Sequence, residues 1–505
     1  MPETRRDFLK VVGCAPAALV AARAMLGASE AGAAEQPPFF SSLAAAFDGP
    51  YGKSFGFTAD GKSKDARTYY SPNSLRPEGL TFDISNNYVL CSINRNGLLW
   101  KACIHVGLIP TATSGGFLTP SPRGQYISKL LVRGGPWPFQ IRLEGESAVN
   151  LDTIQGAEAG MLGNLIPVFT WWYKNLRLRM LAFAPIGGDP VSAAPRAIIA
   201  TIQIQNQGQK PIAGTLLAPS RLANVEDLKS GAATEVREAV TVLGEQAWNP
   251  KFPEVTFQLG PGEQAVFTFG LLLGEDAEEL RRTSEVLRQR SALDWLNQTW
   301  QFHAARFGEL AIPDGPYYAE LFVRMEELCR QSLMRMRDGE FGAGFWGSSV
   351  ADPPDTWNKD NYYATLPLSF LEPRLCADGI LYFIEWGVPP RAMGRGLERF
   401  PRAGRVTHSL GNALSGLAMA GAHYQMTGDR EFFRAHPEVL SKGRELLKEV
   451  LESRREEPML FPSMYVSDGD SRGDYHTGSN LVAWYAFCSM ARIAREAYQE
   501  PELAR

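Results

Sequence analysis

The hydrophobic period of this chain changes once, near Glu275, and that change divides it into two differently built halves. From about Phe39 to Leu273, short β-rich runs are separated by Gly, Pro and Asn roughly every ten residues. Leu176, Leu178 and Met180 alternate with Arg177 and Arg179, as Ile198, Ala200, Ile202 and Ile204 alternate with their neighbours before a turn at Asn206-Gln207-Gly208 and a return strand through Leu216. Val255, Phe257 and Leu259 lead through Gly260-Pro261-Gly262 into Ala265, Phe267, Phe269 and Leu271. A period of two, repeated this often, predicts a large β-sandwich.

Beyond Glu275 the breakers thin out. Asp276 to Phe307 is charged and carries Leu and Trp, which predicts a linker helix or helix pair. After Pro313 to Pro316, apolar residues recur at helical spacing: Leu321, Phe322, Met325, Leu328, Cys329 and Leu333 share one face, with Arg324, Glu327 and Arg330 elsewhere. Helices are expected near 317–337, 360–374, 377–386, 408–427, 430–452 and 478–497, arranged as hairpins. The expected organisation is therefore a leader over 1–34, a β-sandwich over 35–274, a helical linker over 275–312 and a helical domain over 313–505.

The leader carries a twin-arginine signal, Thr4-Arg5-Arg6-Asp7-Phe8-Leu9-Lys10, then a short apolar segment broken by Arg23 and a small-residue cleavage signature at Ala31-Gly32-Ala33. That segment is too short and too polar to span a membrane. Val11-Val12-Gly13-Cys14 resembles a lipoprotein box, but almost no apolar stretch separates it from the arginines. These features predict export as a folded protein by the twin-arginine machinery, to the periplasm or outside the cell. A formal charge of -4 with interspersed signs offers no basic stripe for nucleic acid. Past the signal, Cys91, Cys103, Cys329, Cys376 and Cys488 form no CxxC spacing, so buried free thiols are favoured over a Cys91–Cys103 bridge. Neither a metal centre nor a Gly-rich dinucleotide loop is apparent, and no cofactor is expected.

Two long polar and aromatic segments interrupt the helices. The first runs from Phe345-Trp346 through Asp355-Thr356-Trp357-Asn358-Lys359-Asp360-Asn361. A sugar ring offers an apolar face to an indole and a rim of hydroxyls to carboxylates, amides and amines, and Trp346, Trp357, Lys359, Asp360 and Asn361 supply those partners. Helix capping by Asp355 and Thr356 with interhelical aromatic packing accounts for the same residues equally well. The second is Ser467-Asp468-Gly469-Asp470-Ser471-Arg472-Gly473-Asp474-Tyr475-His476, where three carboxylates, an arginine and a histidine share a Gly-rich loop. Such crowding can keep one acid protonated while a neighbour stays charged. A solvated turn, or a calcium loop lacking the regular twelve-residue pattern, has the same composition. His408 and Asn412, at the start of a helix, are further candidates for contacting a ligand.

Ala422-His423-Tyr424-Gln425-Met426-Thr427-Gly428-Asp429-Arg430-Glu431-Phe432-Phe433 resembles the tyrosine, threonine-glycine-aspartate joint between helices of the six-hairpin glycosidases. Trp357-Asn358-Lys359-Asp360 is similar to their tryptophan-x-basic-aspartate loop, and Thr477-Gly478-Ser479-Asn480 to the opening of their sixth helix. A β-super-sandwich, a linker helix and an (α/α)6 toroid of helical hairpins is also the domain order of bacterial glucoamylases and disaccharide phosphorylases. The resemblance implies that Asp360 binds hydroxyls of a terminal sugar with Trp357 beside it. It also implies that the general acid lies in the 467–474 loop, at Asp470, then Asp474, then Asp468, with Arg472 and His476 near the substrate.

The sequence departs from the family in supplying only about six of the twelve helices of a closed toroid, so a partial toroid is expected, either truncated or completed by another chain. The second carboxylate of the inverting hydrolases belongs to the other half, and one acid alone does not hydrolyse. Three readings follow: a glycoside hydrolase acting on the terminal sugar of an oligo- or polysaccharide, a disaccharide phosphorylase, and a non-catalytic glycan-binding protein.

Overall fold

The computed structural model describes residues 40–48, 57–58, 81–104, 109–110, 125–126, 137–163, 165–187, 194–219, 237–243, 254–307, 316–335, 339, 341–344, 358–384, 410–457, 459–463 and 475–504. The chain forms two compact units, one of Phe39–Ala364 and one containing Thr365–Arg505. The leader lies outside the described residues.

The first unit opens with a short helix, α1 (Leu43–Asp48), and continues through sixteen described strands. These are β1 (Phe57–Thr58), β2 (Thr81–Ser85), β3 (Leu90–Asn94), β4 (Leu99–Cys103), β5 (Ile109–Pro110), β6 (Gln125–Tyr126), β7 (Gln140–Leu143), β8 (Val149–Asn150), β9 (Glu158–Leu162), β10 (Ile166–Tyr173), β11 (Leu176–Phe183), β12 (Ala197–Asn206), β13 (Ile212–Leu217), β14 (Arg237–Val242), β15 (Glu254–Leu259) and β16 (Gln264–Gly274). A seven-stranded antiparallel sheet runs β1-β9-β10-β11-β12-β16-β14, a four-stranded sheet β15-β13-β7-β8, and a three-stranded sheet β2-β3-β4. One apolar cluster draws Phe82, Ile93, Trp171, Met180, Ile202, Phe257 and Phe269 from all three sheets.

The two faces of the large sheet differ. β15, in the smaller sheet, alternates exposed and buried residues without a break, as a strand with one wet face should. β12 is buried on both faces for nearly its whole length. Its outer face is covered by two helices, α2 (Ala277–Arg288) and α3 (Ala292–Phe307), whose Leu287, Trp295, Leu296 and Trp300 pack with Leu181, Phe183, Ile199 and Leu272. Asp276 caps α2 by accepting from Glu279 N at 2.7 Å, and Glu279 returns a bond to Glu275 N at 2.8 Å. A pair of helices thus follows the strands.

The return strand expected after Asn206-Gln207-Gly208 forms as β13, but it crosses to the other sheet. β12 sits in the seven-stranded sheet and β13 in the four-stranded one, and the Gly260-Pro261-Gly262 turn likewise joins β15 and β16 across the sandwich. Both arches converge on one fully buried side chain, Asn206, whose Nδ2 lies 2.8 Å from Lys210 O, 3.1 Å from Leu259 O and 3.1 Å from Gly260 O. Its Oδ1 accepts from Gly208 N at 2.9 Å. Alternation shows where strands are and is blind to which sheet receives them.

Cys91 and Cys103 are buried and form no disulfide. β3 and β4 pair Leu90 with Cys103 and Cys91 with Ala102, so the two thiols point to opposite faces of their sheet and cannot bridge.

The first helix after the linker, α4 (Pro316–Gln331), belongs to this same unit. The sequence extends it to 337, but the chain leaves the helix at Gln331 and pairs β17 (Leu333–Arg335) with β18 (Phe341–Gly344). The second unit follows α5 (Asn358–Thr365), which straddles the boundary, and holds α6 (Leu368–Leu371), α7 (Pro373–Tyr382), α8 (Leu410–Thr427), α9 (Arg430–Ala435), α10 (Pro437–Glu452) and α11 (Thr477–Glu496). Two helices expected to be continuous are divided at prolines: 360–374 at Pro367 and again before Pro373, and 430–452 before Pro437. Glu372 (φ -134°, ψ 69°) and His436 (φ -124°, ψ 70°) leave the α region because a following proline disfavours it. Asp429 caps α9 by accepting from Phe432 N at 2.9 Å. α8 packs against both α7 and α11. A Cβ at Gly416 would fall 1.9 Å from Phe383, so that crossing requires glycine.

Candidate functional site

Two polar assemblies stand out among the described residues, one in each unit. In the sandwich unit, the face of α4 that the sequence assigns away from the core is the buried one: Arg324, Glu326, Glu327, Arg330 and Gln331 are all buried, whereas Met325, placed on the apolar face, is 42% exposed. The inversion has an electrostatic cause. Glu327 Oε1 accepts from Arg330 Nη2 at 3.0 Å and Gln331 Nε2 at 3.0 Å. Its Oε2 lies 2.8 Å from Arg306 Nη1 and 3.1 Å from His303 Nδ1, both on α3. Arg330 also reaches back to the sandwich, donating to Asn87 Oδ1 at 2.6 Å and Ser85 O at 2.7 Å. Asn87, at φ 72°, donates in turn to Arg330 O at 2.8 Å and Leu333 O at 2.7 Å. The β2–β3 turn, α3, α4 and β17 are therefore tied together through charge-assisted hydrogen bonds.

The pKa directions follow from this arrangement. Burial pushes the Glu327 carboxyl up, but Arg330, His303 and Arg306 together pull it well below the ordinary range. Burial holds His303 below its ordinary value with Glu327 opposing, and the hydrogen between them sits on Nδ1, because an ionised carboxylate can only accept. Glu326 is pushed up to about 7 by burial, with Arg306 opposing. The sequence reading passed over these groups because it treated the charged face of α4 as solvated.

In the helical unit, the ends of the acidic loop are anchored by backbone and amide bonds. Pro462 and Tyr475 form an isolated antiparallel bridge, which brings the two margins of 464–474 together. Asn480 Oδ1 accepts from Phe461 N at 2.9 Å, while its Nδ2 donates to Phe461 O at 3.0 Å and His476 O at 3.0 Å. Ser463 Oγ lies 3.4 Å from Leu410 N, at the start of α8. The loop thus leaves and re-enters the fold beside the N-termini of α8 and α11, where unpaired N–H groups and the helix dipoles favour oxygen-rich ligands.

His476 sits at this mouth, but its Nδ1 accepts from Ser479 N at 3.1 Å as the cap of α11. Asn412 lies in the first turn of α8. Trp484 on α11 is 63% exposed, while Tyr485 turns inward and donates to Gln425 Oε1 at 3.2 Å. Asp360, Lys359 and Asn361 lie in the first turn of α5, and Asn361 is buried. Trp346, Trp357, His408, Asp468, Asp470, Arg472 and Asp474 lie outside the described residues. Among the described residues, no group of three or more His, Cys, Asp or Glu is placed to hold a metal ion, and no helix is long and apolar enough to cross a membrane.

No protein-family model matches the sequence, and no curated protein matches it. Solved structures do. A protein from the human microbiome assigned as a kojibiose phosphorylase aligns at a TM-score of 0.50 and 11% identity, covering 84% of this chain and 66% of that one. A family GH92 inverting mannosidase from Bacteroides thetaiotaomicron aligns at a TM-score of 0.33 and 12% identity, covering 84% and 60%. A GH92 α-mannosidase of the same species aligns at 0.26 and 10%, covering 85% and 71%. This chain spans less than two thirds of the length of the first two. The arrangement of antiparallel sheets followed by packed helices is shared with the first of these structures.

Proposed function

We propose that this protein is exported through the twin-arginine route to the periplasm or beyond, and there acts on the terminal sugar of an oligo- or polysaccharide. The observation that carries the reading is the fold shared with the kojibiose phosphorylase structure over 84% of the chain. A fold hosts many reactions, so the chemistry must come from the residues. Asp470, with Asp474 and Asp468 as the next candidates, protonates the leaving glycosidic oxygen. Trp346, Trp357, Lys359, Asp360, Asn361, His408, Asn412, Arg472 and His476 hold the sugar. The helical hairpins form part of an (α/α)6 toroid of the six-hairpin type.

Water attacking the anomeric carbon gives hydrolysis, which in an inverting enzyme needs a second carboxylate about 6.5–9.5 Å from the first. Phosphate needs no such base, and the likeness to a phosphorylase favours phosphorolysis as the second reading. The deciding experiment incubates the purified chain with α- and β-linked disaccharides, with and without inorganic phosphate, and resolves free sugar from sugar 1-phosphate. Phosphate-independent release that is lost in Asp470→Asn or Asp474→Asn supports hydrolysis, whereas sugar phosphate supports phosphorolysis. Glycan binding without turnover, unchanged in both variants, makes the protein a lectin-like binder. Neither turnover nor calorimetric binding across the panel removes the carbohydrate reading.

A further inference from the structure

α4 carries two guanidinium groups that are among the largest fully buried side chains of the protein, Arg324 and Arg330, and they are treated in opposite ways. Arg330 is matched on every side by Asn87 Oδ1, Ser85 O and Glu327. Arg324, nearly two turns earlier, has no hydrogen-bond partner at Nε, Nη1 or Nη2 among the described residues. A guanidinium does not lose its proton at any physiological pH, so burial cannot neutralise it as it would a lysine or a carboxylic acid. Its described carboxylate neighbours on the helix do not answer it. Glu326 lies about 200° around the helix, where its charge is felt by Arg306. Both oxygens of Glu327 are committed to Arg306, His303, Arg330 and Gln331. Ordered water would satisfy the N–H groups but would leave the charge without a counter-charge.

We infer that Arg324 is one wall of a binding site for a small oxyanion, a carboxylate or a phosphate group, that completes the buried guanidinium. The planar fork of N–H donors fits two oxygens of such a group in parallel hydrogen bonds. The inference stands on the electrostatics of α4 and is independent of sugar cleavage. Two sources present this chemistry, inorganic phosphate and the carboxylate of an acidic sugar.

The test measures thermal melting and calorimetric binding of the full chain with sodium phosphate, sodium glucuronate, and sodium chloride at matched ionic strength. The comparison variants are Arg324→Met and Arg324→Lys. Phosphate or glucuronate should raise the melting temperature of the wild type beyond the chloride control. The one that does so identifies the source. Arg324→Met should weaken that binding by more than about tenfold. It should also melt at or above the wild type in anion-free buffer, because it removes an unanswered charge. Arg324→Lys, which keeps the charge without the fork, should bind between the two. No response of the wild type to either anion overturns the inference. So does an Arg324→Met that melts below the wild type, or fails to fold, in anion-free buffer, because the guanidinium would then have a partner within the protein.

Discussion

Replacing Glu327 by Gln tests whether the ionic cluster holds α3 and α4 to the sandwich. The substitution keeps the shape of the side chain and one acceptor. It removes the counter-charge of Arg306 and Arg330 and turns an N–H₂ group toward donors that now face a donor. Breaking one partner of a buried ion pair costs about 3–5 kcal/mol, a large share of the roughly 5–15 kcal/mol that holds an ordinary domain together. At a urea dependence of about 2–3 kcal/mol per molar, the unfolding midpoint of the sandwich unit should fall by about 1–2.5 M. Trp295 and Trp300, buried between α3 and the large sheet, report it by fluorescence. The pH dependence sharpens the test. The Glu327 carboxyl lies well below its ordinary value in the folded state, so the unfolded chain takes up the proton first as pH falls. Its contribution is complete above the unfolded value of about 4.3 and is lost as pH drops through the folded value. Wild type and variant should therefore differ equally at pH 7 and pH 5.5 and converge only in stronger acid. A difference below about 1 kcal/mol, or one that closes between pH 7 and 5.5, would refute the reasoning.

Two further substitutions probe other buried polar groups. Burial pushes His423 down to about 4, with Asp429 opposing, and neither ring nitrogen has a hydrogen-bond partner among the described residues. The unfolded chain therefore binds the proton first below about 6.5, and the helical unit should lose about 3 kcal/mol between pH 6.5 and 4 on this account. His423→Phe, packed against Phe432 and Phe433, should flatten that loss and leave stability at pH 7 equal or higher, read as urea midpoints at several pH values. Asn206→Ala strips the carbonyls of Lys210, Leu259 and Gly260 of their shared donor and should lower stability by about 2–3 kcal/mol, measured by denaturant unfolding.

Much of the fold is legible because its signals are local. The runs around Leu178, Ile202 and Phe269 alternate where β11, β12 and β16 form, and the apolar spacing of 408–427 and 478–497 locates α8 and α11 to within two residues. The divisions at Pro373 and Pro437 were equally local, but the helical period continues across them and hides the break. What alternation cannot carry is partnership. The two arches that meet at Asn206 look like hairpins in one dimension, because the choice of sheet depends on a contact between residues 206 and 260.

The same distinction explains the candidate site. Asn480, in the motif that opens the last long helix, makes a reciprocal amide clamp with Phe461, and His476, a candidate for substrate contact, also caps α11. Both uses place polar side chains at a helix start for the sake of the backbone. They also hold the two margins of 464–474 beside the N-termini of α8 and α11. Conversely, Glu327 and Arg324 read as solvated because a charge every third or fourth residue is the signature of an exposed helix face. Burying such a face is favourable only where each charge is answered. Asn87, Ser85, His303 and Arg306 answer Arg330 and Glu327 from as far as 245 positions away in sequence. No short window on the sequence contains those answers, and for Arg324 none is found among the described residues.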